Sequence, residues 1–294
     1  MREGVRAVIF TADDFGLSPA LNHAVALAHR EGVLRCASLM PGGPAAAEAL
    51  VLARELPGLC LGVHLTLCQG RAVLIPQAIP DLVDVAGNFP QHPAATGWRY
   101  FFQPRLLPQI RRELAAQIEA VLNQGLTPWF VNGHLNLHLH PCLAPLVVDL
   151  AREYRIPALR LVQEDWRASL AAGAGRPASS AALVLTFAYL SRRARRLAQD
   201  AGLVFNDHLF GLLHDGEMTE EYLLGLLPQL KPGVTEIYSH PAVRADADLL
   251  RAAPRYRRTE ELAALLSPRL KETLDRLKIV PTDFRELALE QSRT

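Results

Sequence analysis

The 294-residue chain lacks several features that would assign it to a class at once. It has four cysteines, Cys36, Cys60, Cys68 and Cys142, and no two form a Cys-x-x-Cys pair, which argues against a structural zinc knuckle. Met1-Arg2-Glu3-Gly4 leads directly into a strand-like run, so no signal peptide is expected and a cytoplasmic location is. The cysteines then read as reduced thiols, mostly core filler. Lysine plus arginine number 31 against 30 aspartate plus glutamate, so no global charge attracts nucleic acid. Long apolar runs are missing too. The run Ala181–Leu190 is roughly half a membrane-spanning helix. No internal repeat and no low-complexity tract is visible.

What is present alternates. Arg6–Thr11, Val33–Met40, Leu59–Leu67, Thr127–Asn132, Ala158–Leu161 and Val234–Ser239 read as buried strands, with weaker signals at Leu203–Asn206 and Ile279-Val280. Helical patterns lie between them. Ser18-Pro19 supplies an N-cap and a first-turn proline for the first helix, which runs to Glu31. Gln69–Gln103 breaks the pattern: it is rich in proline and aromatics and reads as an irregular insert or lid. Asp165–Ser180 reads as loop. Strand–helix alternation without a break in composition predicts one α/β domain across residues 1–294.

The polar residues that could do chemistry fall at strand ends. Asp13-Asp14 follow the first strand and His64 lies in the third. Three of ten histidines crowd into Asn132-Gly133-His134-Leu135-Asn136-Leu137-His138-Leu139-His140-Pro141, and His240 follows the last clear strand. In parallel α/β folds these ends share one face, where active sites form. Two adjacent carboxylates there can divide the work, one holding a metal and one left as a base. An Asp-His-His set leaves positions open for water and substrate. Within the cluster, His134 and His138 share a face if helical, and His134, Asn136, His138 and His140 share one if extended. Spacing alone does not choose the ligand.

Thr11-Ala12-Asp13-Asp14-Phe15-Gly16, Gly62-Val63-His64-Leu65-Thr66-Leu67 and Asn132-Gly133-His134-x-x-x-His138-Leu139-His140-Pro141 resemble, in order and spacing, the motifs of the YdjC-like carbohydrate deacetylases. Leu159-Arg160, Phe210-Gly211 and Glu236-Ile237-Tyr238-Ser239-His240-Pro241 extend the resemblance over nearly the whole chain. It implies a deformed TIM-like (β/α) barrel, a homodimer and one divalent metal ion, magnesium or zinc. Asp14, His64 and His134 would be its ligands, Asp13 the general base and His240 an acid for the leaving group. His138 and Arg160 would line or support the cleft. The chain departs from the pattern at Thr11, where Asn is usual, at Asn132, where Asp is usual, and at Asn136, where His is usual. The Asn132 and Asn136 variant is similar to a subgroup associated with hopanoid biosynthesis, which implies an N-acetylglucosaminyl hopanoid as substrate, with a chito-oligosaccharide as the other acetylated sugar of the class. A glycolipid substrate would suit peripheral contact with the inner membrane face, where Ala181–Leu190 is followed by Arg192, Arg193, Arg195 and Arg196. Two other readings compete: a different metal hydrolase, such as a phosphoesterase or amidohydrolase, and a non-catalytic metal-binding protein.

Overall fold

The computed structural model describes residues 4–173 and 177–292, with backbone only for 177–180. In chain order the elements are β1 (Arg6–Phe15), α1 (Pro19–Glu31), β2 (Cys36–Leu39), α2 (Ala46–Glu55), β3 (Cys60–Leu65), α3 (Pro93–Phe102), α4 (Leu107–Leu122), β4 (Phe130–Gly133), α5 (Ala144–Glu153) and β5 (Ala158–Leu159). There follow α6 (Trp166–Ala171), α7 (Pro177–Asp200), β6 (His208–Phe210), α8 (Glu220–Leu226), β7 (Gly233–Ser239), α9 (Ala247–Ala252), α10 (Arg258–Leu266), α11 (Pro268–Leu277), β8 (Val280–Pro281) and α12 (Phe284–Gln291). Local chemistry sets several boundaries. Ser18 caps α1 by accepting from Leu21 N, and Asp165, Thr219, Asp246, Ser267 and Asp283 cap α6, α8, α9, α11 and α12 in the same way.

Every strand pairing is parallel, in the order β5-β4-β3-β2-β1-β7-β6, and the short β8 lies beside the start of β1. The sheet curls until its edges approach. Ala158 bridges Val204, Leu209 N donates to Gln163 O, and the Asn206 amide is bonded to both the N–H and the C=O of Leu161. The result is the curled parallel sheet of a deformed TIM-like barrel.

Alternation along each strand sorts side chains into two environments. Val8, Phe10, Ala12, Ala37, Leu39, Val63, Val131, Leu159 and Ile237 join the main core with the helices. The other set faces inward. At the N-terminal end of the sheet, Ile9, Cys36, Cys60, Phe130, Ala158 and Val234 form a separate apolar cluster, plugged by Phe284 and Leu287 of α12. Gly62 is needed there: a Cβ at that position would lie 2.5 Å from the Phe130 ring.

Three expectations are corrected. The insert at 69–103 is not irregular throughout, since Pro93–Phe102 is helix α3; its Thr, Gly and aromatics are poor helix formers, and it is held by burying Thr96 and Tyr100. The stretch expected to be loop contains α6, and α7 begins within it; residues 174–176 lie outside the described residues. Leu203–Asn206 is not a strand: Val204 makes a single bridge, the Asn206 side chain occupies the seam, and the strand is His208–Phe210.

Candidate active site

The site is built at the C-terminal end of the inward-facing set, and β1 distorts to make it. Its pairing register with β2 shifts between Ala12 and Phe15, and Asp14 sits at a φ of 61°. Simple alternation would send Asp13 and Asp14 to opposite faces. The bulge instead lets both buried carboxylates line one cleft of about 590 Å³.

Below the cleft floor lies a buried polar layer. Arg160, fully enclosed, grips Asp13 through Nη1 and Nη2 and Glu236 through Nε (3.0 Å) and Nη2 (2.7 Å). Thr11 Oγ1 donates to Glu236 at 2.7 Å. Asp13 Oδ1 also accepts from Ser38 Oγ (2.8 Å) and Asn132 Nδ2 (3.1 Å). Burial by itself would raise the Asp13 pKa, but the Arg160 guanidinium and then His64 outweigh it and hold the carboxyl at about 2. Asp13 is therefore ionised throughout the neutral range. Burial of Glu236 does the opposite and keeps its pKa above the usual range despite Arg160.

Above this layer, Asp14, His64 and His134 converge, with one ligand-capable atom of each within 4.8 Å of the others. His64 Nε2 lies 3.3 Å, and His134 Nδ1 3.0 Å, from Asp14 Oδ1. Burial opposes ionisation of Asp14, yet His134 and His64 hold its pKa well below the usual value. The same contact outweighs burial at His134 and raises its pKa. His240 completes the wall: its Nε2 is 3.9 Å from Asp14 Oδ2 and its Nδ1 3.4 Å from Asp215 Oδ1. Tyr256 Oη donates to the other Asp215 oxygen at 2.5 Å.

The histidine cluster divides. It is neither a regular helix nor a strand: residues 134–139 form a 3₁₀ turn kinked at Leu135 and Asn136, with φ of 56° and 55°. That kink sends His134 to Asp14, sets Asn136 on the cleft wall and turns His138 away. His138 Nε2 is 3.0 Å from the Arg160 carbonyl oxygen, and burial pushes its pKa down to about 3. His140 packs against the Phe101 ring.

Asp13, Asp14, His64, His134, His240 and Asn136 thus share one cleft, and Asn132 and Arg160 lie directly beneath it. Ser38, Asp215, Tyr256 and Arg258 also belong to the site, and the sequence alone did not single them out for it. One signal was available. A glutamate inside the apolar strand Val234–Ser239 requires a buried cation, and Arg160 at the end of another strand supplies it.

Comparison with known proteins identifies the family of the chain. Residues 7–276 match the family described as YdjC-like protein. A carbohydrate deacetylase of Vibrio cholerae serotype O1 (strain M66-2) is 38% identical over 152 residues, a match spanning 51% of this chain and 57% of that protein. A carbohydrate deacetylase of Brevibacillus brevis is 30% identical over 281 residues, covering 95% of this chain and 99% of that one. A crystal structure from Enterococcus faecalis V583, described as that of a proposed cellobiose-phosphate cleavage protein, superposes with a TM-score of 0.74 at 28% identity, covering 96% of this chain and 99% of its own. The chain belongs to the YdjC-like family.

Proposed function

We propose that this chain is a metal-dependent hydrolase that removes the N-acetyl group from an N-acetylated amino sugar. The observation that carries the reading is the convergence of Asp14, His64 and His134 beside a second, separately held carboxylate, Asp13. The names of its full-length relatives support the reaction class.

The donor set fits a cation. Asn132 Nδ2 donates to Asp13 and Ser38, which leaves Asn132 Oδ1 to accept from His64 Nδ1–H at 2.8 Å. His64 Nε2 and Asp14 Oδ1, 3.3 Å apart, could then both serve a divalent cation in place of their shared contact. Held by Asp14, His64 and His134, it would supply Lewis acidity at the acetyl carbonyl. Two imidazoles and one carboxylate suit zinc or another transition ion better than magnesium, which prefers more oxygen.

The chain's own groups move the protons. Asp13 Oδ2 carries one hydrogen bond, from Arg160, and keeps a lone pair for the proton of the attacking water. Water oxygen bonds to the acetyl carbon, the C–N bond breaks, and His240 protonates the departing amine, since an amine leaves poorly as an anion. The products are acetate and the free amino sugar. A phosphoesterase or amidohydrolase site typically opens with His-x-His after the first strand, where this chain has Asp13-Asp14. A non-catalytic metal protein has no need of Asp13. Within the acetylated sugars, the exposed aromatics Trp98, Phe101 and Phe102 near the cluster favour a glycolipid such as an N-acetylglucosaminyl hopanoid over a chito-oligosaccharide.

Acetate release from soluble and lipid-linked N-acetylglucosaminyl substrates, with and without chelator, tests the reading. Activity should vanish on chelation and return with zinc. Asp13→Asn should bind metal normally and turn over ~10²–10⁴-fold more slowly. Chelator-insensitive turnover would overturn the metal, and full activity in Asp13→Asn would overturn the base.

A further inference from the structure

Helix α7 is two helices in character. In its second half Ser191, Ala194 and Ala198 are buried on the core. In its first half no residue of the apolar run Ala181–Leu190 is buried. Phe187 and Leu190 lean against the core, while Leu183, Leu185 and Tyr189 are 40%, 70% and 69% exposed. A soluble surface helix normally shows the reverse, a covered apolar stripe and a polar outer face.

The fold explains the exposure. Ser191 Oγ both donates to Val162 O and accepts from Val162 N, each at 2.9 Å, fixing that turn just past the C-terminal end of β5. Because α7 descends antiparallel to the strands to reach β6, everything before Ser191 stands beyond the sheet's C-terminal edge. That is about 20 Å of helix at 1.5 Å per residue. It rises on the cleft's own side of the barrel, packed against the 134–139 turn that carries His134.

Charge identifies what covers it. Positions 177–199 hold four arginines and no acidic residue. Arg195 turns inward to Gln163 and Phe205, but Arg192, Arg193 and Arg196 are exposed and make no ion pair or hydrogen bond among the described residues. Leu185, Tyr189, Arg192 and Arg196, spaced four, three and four apart, lie on one stripe, apolar above and basic below. A second copy of the chain would set this acid-free segment against its own kind. An anionic bilayer complements both halves: the apolar turns enter the interface and the arginines meet the headgroups. No described helix is long and apolar enough to cross a membrane, so the contact is peripheral.

We propose that the first half of α7 docks this protein on an anionic lipid surface, with the cleft opening toward that surface. The inference is separate from the hydrolase reading, because docking requires no turnover. Flotation of the whole protein with phosphatidylcholine vesicles, with and without phosphatidylglycerol, tests it. Binding should need the anionic lipid and weaken with added salt. Glutamate at Arg192, Arg193 and Arg196 should lower the affinity roughly fivefold or more per arginine. Leu185→Asp with Tyr189→Asp should abolish flotation while acetate release from a soluble N-acetyl sugar is unchanged. No flotation with either vesicle, or flotation that survives Leu185→Asp with Tyr189→Asp, would overturn the proposal. So would a dimer that those two substitutions split, since a second copy would then be the cover. Loss of acetate release in the unmodified protein would strike the hydrolase reading alone.

Discussion

The two ends of the barrel interior differ after only two residues of strand. On β1 the inward sequence passes from Ile9 to Thr11 to Asp13, on β2 from Cys36 to Ser38, on β4 from Phe130 to Asn132, on β5 from Ala158 to Arg160 and on β7 from Val234 to Glu236. The lower layer holds no charge. The upper layer holds two carboxylates and a guanidinium, all buried. The outward faces of the same strands are mostly apolar, with Thr235 of β7 a buried exception, so helix packing responds little to the change inside. Stability and chemistry are thereby separated along the strand axis, and each end should fail in its own way.

The widest gap between them is expected at Arg160. Arg160→Met would leave Asp13 and Glu236 buried without their shared cation and should lower unfolding stability by about 3–5 kcal/mol. Activity should fall as well, because Asp13 loses its anchor. Phe130→Ala at the lower end opens a cavity of similar cost, ~3–5 kcal/mol, but should leave turnover of the folded fraction near normal. Denaturant titrations and initial rates on both variants compare the two ends. A loss below ~1 kcal/mol in Arg160→Met would mean that the ion network does not hold the upper layer.

Acid should attack the upper layer first. His138, buried under Arg160, titrates at about 3 instead of its ordinary 6.5. The unfolded chain takes up that proton below 6.5 and the folded chain refuses it until about 3. Stability from this group is complete above pH 6.5 and is lost as pH falls toward 3, at up to ~1.4 kcal/mol per pH unit. Asp13, held at about 2 instead of 3.8, adds a second loss of the same sign between those values. His138→Asn, which can still donate to the Arg160 carbonyl, should flatten the decline between pH 6.5 and 4 and leave the Asp13 limb. Thermal melts across that range decide it; an unchanged slope would remove His138 from the account.

What the sequence disclosed follows from what each signal depends on. Strand ends were legible because Asp13-Asp14, His64, His134 and His240 stand out against apolar runs. Which cluster histidine meets Asp14 was not, because the choice of His134 over His138 rests on left-handed backbone at Leu135 and Asn136, which no spacing rule encodes. Helix α3 was hidden by its own composition, since tertiary burial of Tyr100, whose hydroxyl donates to Leu67 O at 2.8 Å, overrides weak helix propensity. Strand β6 was displaced from its expected place because Asn206 mimics a backbone pair with its side-chain amide. Asn132 has a physical account only in three dimensions. An amide can donate to Asp13 while accepting from His64, a double role that the carboxylate usual there cannot fill without a proton.

The smallest expected effect gives the sharpest comparison, because β2 carries both layers two residues apart in nearly isosteric side chains. Cys36→Ser places a hydroxyl in the apolar layer and should cost about 1 kcal/mol, with no change in the pH dependence of stability or of rate. Ser38→Ala removes a donor to the Asp13 carboxylate, a charge-assisted bond of about 1.5–3 kcal/mol, and should raise the Asp13 pKa from about 2 toward its ordinary value. Some of the stability lost in acid by the unmodified protein should therefore already be missing at neutral pH in Ser38→Ala, and its acid decline should be shallower. If Cys36→Ser changed the acid decline as much as Ser38→Ala, the boundary between the layers would not lie between these two residues, and the separation along the strand axis would be lost with it.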